Sequence, residues 1–233
     1  VRRMDEDILT SWRVVKGEID TACRQVNRDP EEINVVTVTK YVDQKRTQEA
    51  LDAGLLHIGE SRVQDAVPKW EALGKRGIWH FIGHLQRNKA KAVVGKFSYL
   101  HSLDRFSLAE ELSKRCDTVG ENIRCFLQVN VAGEESKFGL SPKELPEFAR
   151  EVSQLPGIQL EGLMTMAPYV ENPEEVRPIF RHLRVLRQEL RQLDELLLTL
   201  PHLSMGMSRD YRVAIEEGAT YIRLGSVLVG GGK

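Results

Sequence analysis

The chain has 233 residues, 41% apolar and 29% charged, with a formal net charge of -1, which is enough to build one α/β barrel or one to two ordinary domains. That balance speaks against disordered and fibrous classes and against a nucleic-acid partner, which would draw a basic excess. Cys23, Cys116 and Cys125 are odd in number and lack C-x-x-C spacing, and no apolar run approaches the roughly 20 residues of a membrane-crossing helix. With a start, VRRMDEDILTSW, that lacks a signal peptide's apolar stretch, the expectation is a soluble cytoplasmic protein with core thiols and no membrane contact.

Ile8, Leu9, Trp12, Val15, Ile19, Cys23 and Val26 recur at steps of three and four, predicting an amphipathic first helix that ends near Asp29-Pro30. INVVTVT (33–39) is β-branched and predicts a buried strand that delivers Lys40 at its C-terminal end. A helix at 43–53 leads to the strand LLHIG (55–59), a helix from about Ser61 to Leu73 to WHFIG (79–83), and a shorter helix after Leu85 to FSYLHS (97–102). The alternation continues with a helix at 104–117, IRCFLQVN (123–130), a helix at 141–154 opened by Ser141-Pro142, and IQLEGLMTM (158–166). A long helix at 174–198, PHLSM (201–205), a helix at 208–217 closed by Gly218, and TYIRLG (220–225) complete it. Eight strands, each preceded by a helix, predict one α/β domain over 1–233: a (β/α)8 TIM barrel with an extra helix at its N-terminus. An open doubly wound sheet is the alternative.

Barrel active sites lie at the C-terminal ends of the strands, where Lys40 is placed. A lysine desolvated there can condense with an aldehyde or ketone, although a strand-end lysine also commonly snorkels to water. LSMGMS (203–208) and RLGS (223–226) follow strands seven and eight, the loops in which barrels frequently hold a phosphate. Glycine there permits close backbone approach, serine donates hydrogen bonds, and a helix starting near Ser208 would turn free N–H groups inward. Taken singly, Ser208 reads equally well as a helix cap and Gly225 as a turn. Together with Lys40 they describe a pocket for a phosphate and an aldehyde. Arg223, two residues before Gly225 on an alternating strand, shares its direction and could meet a pyridine nitrogen; an ion pair with Glu161 or Glu216 is the competing reading.

In WHFIGHLQRNK (79–89), His80 and His84 lack the carboxylate spacing of a zincin, favouring a core or cap role over metal. Ile179, Leu183, Leu186, Leu190, Leu193 and Leu197 are spaced 4-3-4-3-4, too short for a coiled coil and suited to packing on a barrel, with Arg181, Arg184, Arg187 and Arg191 as a solvated face. A nucleophile elbow would need glycine at 210, where Asp210 stands, and a Walker loop glycine at 90, where Ala90 stands.

VTVTKYV, HIGESRVQDA, WHFIGHLQRNK, GLMTMAP, LSMGMSRDYRVAI and YIRLGSVLVG, in this order over about 8–230, together resemble the YggS/PLPBP-type pyridoxal phosphate homeostasis proteins. The resemblance implies a fold-type III barrel like the N-terminal domain of alanine racemase. It implies pyridoxal 5'-phosphate as cofactor, with Lys40 as the Schiff-base lysine and Arg223 at the pyridine nitrogen. Ser204, Gly225 and Ser226 then lie near the phosphate, and Ser61, His80 and Met164 among the cofactor-contacting residues. One departure is visible: the family's usual G-E-N is Gly59-Glu60-Ser61, and the shorter serine does not reach as far as the asparagine amide it replaces.

Arginine cannot accept the proton that a carboxylate would share with the ring nitrogen, so the electron sink is weak. Related racemases add a second domain with a tyrosine base, and this chain ends about eight residues after Gly225. The expectation is a cofactor carrier rather than a strong catalyst, monomeric, with pyridoxal-phosphate-dependent apoenzymes as possible recipients. A small racemase or decarboxylase using Tyr41 or His80 as base is the rival, and a cofactor-free Schiff-base aldolase a third reading.

Overall fold

The computed structural model describes residues 7–134, 138–193 and 199–230. Eight parallel strands follow one another in chain order around a closed barrel: β1 (Asn34–Val38), β2 (His57–Glu60), β3 (Ile78–Phe81), β4 (Tyr99–Leu103), β5 (Ile123–Gln128), β6 (Ile158–Met164), β7 (His202–Met207) and β8 (Tyr221–Leu224). β8 closes on β1 with Asn34 opposite Tyr221 and Val36 opposite Arg223. The barrel expectation therefore holds, and an open sheet does not.

Side chains alternate between two apolar regions, as the period of two along a strand requires. Outward residues such as Trp79, Phe81, Leu127, Leu163 and Ile222 join the main core beneath the helices. Val36, Tyr99, Phe126, Met164 and Tyr221 form a separate cluster inside the barrel. Between the strands run α1 (Ile8–Gln25), which precedes β1, then α2 (Gln44–Asp52), α3 (Val63–Leu73), α4 (Phe106–Val119), α5 (Leu145–Ser153), α6 (Arg177–Leu193) and α7 (Tyr211–Glu216).

The first helix starts where Asp7 accepts the N–H of Leu9, and it buries Ile8, Val15, Ile19 and Cys23 on the predicted face. It stops well before Pro30, because Asn27 takes a left-handed backbone (φ 54°). The chain then brings Arg28 against the end of α7, where it donates to the carbonyls of Ile215 (2.7 Å) and Ala219 (2.8 Å). Ile215 lies in the last turn of α7 and Ala219 in the loop after it, so Arg28 ties the extra helix to the last βα unit.

Several boundaries depart from expectation. The segment after Leu85 is a 3-10 helix, Arg87–Ala92. α5 opens at Leu145, because Ser141 and Glu144 bond each other in the turn before it. β7 runs to Met207 and α7 begins only at Tyr211, so Ser208 caps no helix. α6 lays Phe180, Leu183, Leu186 and Leu190 on the barrel, while Leu193 is exposed and Leu197 falls outside the described residues. Its arginines do more than face solvent: Arg177, Arg181 and Arg184 converge on the buried carboxylate of Glu217 at 3.2, 2.9 and 3.2 Å.

Two glycines make opposite predictions. A Cβ at Gly162 would overlap the carbonyl oxygen of His202 on the neighbouring strand, whereas Gly17 sits exposed on α1 with nothing within 4 Å. Gly162→Ala is expected to destabilise by about 3 kcal/mol through forced strand separation, and Gly17→Ala to stabilise by about 0.5–1 kcal/mol through helix propensity. Denaturant midpoints of the two variants check both signs.

Candidate functional site

At the C-terminal mouth of the barrel a cleft of about 1060 Å³ is lined by Lys40, Ser61, Met164, Arg223, Gly225 and Ser226, six of the eight residues expected there. Ser208 lines it as well. His80 and Ser204 do not: both are fully buried inside the barrel, below the cleft floor. His84, expected in the core or as a cap, is exposed at the rim and stacked on Phe138 with ring centroids 4.0 Å apart. Four cationic side chains, Lys40, Arg62, Arg209 and Arg223, face the cleft against the single carboxylate of Asp210 among the described lining residues. Asp210 is itself engaged, accepting the N–H of Met207 at 2.6 Å. The cleft is thus locally electropositive in a chain whose overall charge is nearly balanced.

Lys40 follows β1 by two residues and is half-buried, its Nζ 4.8 Å from the centre of the exposed Tyr41 ring. The backbone beside it is clamped by a buried trio. Thr39 donates its hydroxyl to Glu60 Oε1 at 2.5 Å, and Lys69 Nζ reaches both Glu60 Oε1 (2.8 Å) and the Thr39 carbonyl (2.7 Å). Lys69 was legible as an anomaly in the sequence, since it shares the buried face of α3 with Ala66 and Leu73 at helical spacing. Both side-chain contacts fall on Glu60 Oε1, and Glu60 Oε2 is buried without a hydrogen-bond partner among the described residues. Across the cleft, Gly83 presses on Ser61 so closely that a Cβ would overlap the Ser61 backbone, which fixes how the loops after β2 and β3 meet.

The end of the cleft expected to receive a phosphate is built by turns rather than by a helix. Gly206 has φ +98°, and a Cβ there would lie 2.6 Å from Ala214 Cβ, so the end of β7 folds tightly onto α7 and presents Ser208. Ser208 Oγ accepts the N–H of Gly225 at 3.3 Å. Leu228 and Val229 both donate to the Gly225 carbonyl at 2.9 Å, and the N–H groups of Ser226 and Val227, at the start of that turn, have no acceptor within it. Two serine hydroxyls and a run of backbone N–H groups there can receive a phosphate.

Arg223 is 3% exposed yet lines the cleft. It donates to Ser204 Oγ at 2.6 Å, to the Thr165 carbonyl at 3.0 Å and to Met166 Sδ at 3.5 Å, all neutral acceptors. Neither carboxylate considered for it is involved, since Glu161 lies by Arg124 (3.4 Å) and Glu216 by Arg177 (2.5 Å). Burial pushes the Arg223 guanidinium down to about 10, with Asp210 opposing the shift, so it remains a cation at neutral pH. A buried cation facing a cleft with neutral partners is suited to an acceptor atom of a bound molecule.

Behind Arg223 the polar contacts continue. Ser204 Oγ lies 2.7 Å from His101 Nδ1, His101 Nε2 lies 2.9 Å from His80 Nδ1, and His80 Nε2 lies 2.9 Å from His57 Nδ1. His80 stacks on Tyr99 at 4.3 Å and His101 on Phe126 at 4.4 Å. Burial holds the imidazoles of His80 and His101 well below the usual histidine range, and neighbouring imidazoles add to the shift, with the Arg223 charge acting further on His101. His80 is therefore a neutral interior group rather than a residue at the cleft. His57 and His101 were not singled out in the sequence, although an inward polar position on a barrel strand was the available sign.

An amine at Lys40, hydroxyl and N–H donors at the turns around Ser208 and Gly225, and a guanidinium at Arg223 thus surround one cleft. That donor set fits a phosphorylated heterocyclic aldehyde, the class read from the sequence. The family model described as alanine racemase, N-terminal domain, matches residues 31–233. Over 93% of its length and 94% of the relative's, the chain is 45% identical to a pyridoxal phosphate homeostasis protein of Aquifex aeolicus. It is similar to PipY of Synechococcus elongatus solved with PLP bound, with a TM-score of 0.81 and 34% identity over 91% of this chain and 100% of that one. Alanine racemase of Corynebacterium glutamicum shares the fold at 14% identity and a TM-score of 0.71, over 95% of this chain and 59% of that one.

Lys69→Met leaves the Glu60 carboxylate buried without its cation, and a loss of about 3 kcal/mol is expected in urea unfolding, with Lys69→Met/Glu60→Gln recovering part of it. The histidine shifts set a second expectation. An imidazole held below its ordinary value takes up its proton more readily in the unfolded chain, so the stabilisation is complete above about pH 6.5 and is lost as the pH falls. His80 and His101 should each remove up to about 1.4 kcal/mol per pH unit in that acid window. Urea unfolding at pH 7.5 and 5.5 measures the decline.

Proposed function

The chain belongs to the alanine racemase N-terminal domain family and, within it, to the pyridoxal phosphate homeostasis proteins, and on that premise we propose that it binds pyridoxal 5'-phosphate at the C-terminal mouth of the barrel and serves cytoplasmic vitamin B6 homeostasis. The observation that carries this reading is the buried, cleft-facing Arg223 with neutral partners, sharing one cleft with Lys40 and with the turn donors around Gly225. When bound, the cofactor supplies an aldehyde that captures primary amines and a ring that draws electrons.

Lys40 would hold that aldehyde as a Schiff base, on a backbone fixed by Thr39, Glu60 and Lys69. Arg223 would donate to the ring nitrogen. The hydroxyls of Ser208 and Ser226 and the N–H groups of Ser226 and Val227 would hold the phosphate, with Ser61 and Met164 flanking the ring. Ser204 and His80, counted earlier among the cofactor contacts, act from behind this layer. Both lie inside the barrel, and Ser204 touches Arg223 directly.

Arg223 stays charged at neutral pH and has no proton-accepting site, so it favours an unprotonated ring nitrogen and weak withdrawal of charge. Of the two bases considered for a racemase, His80 is sealed from the cleft. These features support binding and release of the cofactor over rapid amino-acid chemistry. We further propose that the protein works as a monomer and that pyridoxal-phosphate-dependent apoenzymes receive the cofactor from the open mouth.

Addition of pyridoxal 5'-phosphate to the purified protein should produce the visible absorbance of a lysine-bound cofactor. Borohydride reduction followed by peptide mass analysis should place the label on Lys40. Lys40→Ala should abolish the band, with affinity falling on the order of 100-fold through loss of the covalent link. A label on Lys69 or another lysine, or an unchanged band in Lys40→Ala, overturns the assignment.

A further inference from the structure

The contacts behind Arg223 form one continuous path, and the chemistry of its members allows one arrangement of protons. Arginine donates and never accepts, so at 2.6 Å the Ser204 oxygen must be the acceptor of the Arg223 N–H. The Ser204 hydroxyl proton then has an acceptor at His101 Nδ1, 2.7 Å away. An unprotonated Nδ1 in a neutral imidazole puts the His101 proton on Nε2, where it meets His80 Nδ1 at 2.9 Å. The same logic puts the His80 proton on Nε2, pointing at His57 Nδ1, also 2.9 Å away. Reversing the order would aim the His101 Nδ1 proton at an oxygen already engaged by a cation and strand the hydroxyl proton in a buried site. Charging either inner imidazole would oppose two donors and set a second cation near Arg223.

We propose that Ser204, His101, His80 and His57 form a single polarised hydrogen-bond chain through the barrel interior, with every histidine in the Nε2–H tautomer, and that Ser204 and His101 are positioning residues that hold the Arg223 guanidinium as donor to the cofactor's ring nitrogen. The inference rests on the reading of the cleft as a pyridoxal phosphate site. Every proton in the chain points away from Arg223, so each bond turns its negative end toward the guanidinium, and dipoles aligned in this way reinforce one another. The chain does the work for which a carboxylate would ordinarily be used. A carboxylate would neutralise the guanidinium and compete for its N–H groups. Neutral dipoles steady the charge and leave the cleft-facing donors available. The Thr165 carbonyl and Met166 Sδ, both on the NH2 side, complete the cradle, and NH1 is left to Ser204. The charged groups around the path fit this picture: Asp210 acts on Arg223 from the cleft, while Glu161 and Arg124 pair with each other near His202 on the opposite side. The rings of Tyr99, Phe126 and Tyr221 pack around the two inner imidazoles and add no net charge.

The first test needs no cofactor. Long-range 1H–15N correlation spectra of the 15N-histidine-labelled protein at pH 7 should show His80 and His101 with a protonated Nε2 and a bare Nδ1. An Nδ1–H tautomer or an imidazolium at either position overturns the chain. The second test asks whether the chain acts through the ring nitrogen, using absorbance or fluorescence titration with pyridoxal 5'-phosphate and with its 1-deaza analogue, in which carbon replaces that nitrogen. His101→Phe should weaken pyridoxal 5'-phosphate about tenfold, the size of one lost hydrogen bond to a charged group, and leave the analogue within about twofold. His101→Asn, which keeps an amide near the Nδ1 position, should recover most of the loss. Ser204→Ala, a small change at a buried site, should show the same split if His101→Phe fails to fold. Equal weakening of both ligands, or weakening of neither, overturns the positioning role. If the unsubstituted protein binds neither ligand, the cofactor reading fails, and the tautomer measurement still decides the chain.

Discussion

A guanidinium buried at the floor of the cleft, with neutral acceptors on its NH1 and NH2 groups, is the constraint from which much of this interior follows. Burying a charge requires dense compensation, and a barrel lumen offers it only from the alternate residues that each strand places inward. Here β7 contributes Ser204, β4 contributes His101, and β3 and β2 contribute His80 and His57. In most barrels of this kind the equivalent layers hold branched aliphatic side chains. Their place is taken by imidazoles, which stack on Tyr99 and Phe126 and so preserve dense packing while satisfying their nitrogens. The polar path and the aromatic cluster are one structure: the rings exclude water, and exclusion keeps the imidazoles neutral.

The two lysines near β1 show how the same residue type is given two roles by its surroundings. Lys69 enters the interior from α3 and is matched by Glu60, with Thr39 contributing a carbonyl and a hydroxyl to the group. Lys40, one residue after Thr39, stands against the face of Tyr41 instead. The bonds from Thr39 and Lys69 to Glu60 Oε1 stiffen the strand end from which Lys40 projects. Asp210 likewise accepts the Met207 N–H. With those two acids engaged, the electropositive character of the cleft persists, which suits a ligand whose phosphate carries most of its charge.

The barrel was legible because parallel strands covered on both faces read as β-branched runs separated by amphipathic helices, as INVVTVT and IQLEGLMTM do. Lys40 and Arg223 were legible from place and parity. Helix starts were not, since local side-chain bonds compete with the first helical turn: Asp210 accepts the N–H of Met207, three residues back, so the helix expected at 208–217 shrinks to Tyr211–Glu216. Layer depth was also hidden. Alternation tells which side chains point inward but not how far along the axis each one lies, so His80 and Ser204 were assigned to the cleft when they sit beneath it. The same limit concealed His57 and His101, whose partners are 23 and 103 residues away in sequence. The grouping of Arg177, Arg181 and Arg184 on Glu217 is likewise a product of packing between α6 and α7.

One short segment, LSMGMS, joins the two ends of the cleft. Ser204 lies inside the barrel and receives Arg223, four residues before Ser208 receives the N–H of Gly225. Between them the pairing of β7 with β8 shifts register from Ser204 opposite Tyr221 to Met207 opposite Arg223, and Gly206 takes the left-handed backbone that turns the strand toward Ala214 and Tyr211. An uninterrupted strand would carry Ser208 along the axis and away from the loop after β8. The irregularity brings it back beside Gly225, as strand irregularities near functional sites commonly re-aim a side chain. The proposed donor for the ring nitrogen and the proposed cradle for the phosphate are therefore spaced by one local distortion of β7, opposite β8, which carries Arg223 and leads into Gly225. Their separation is fixed by backbone, and the side chains need little freedom to meet a rigid ligand.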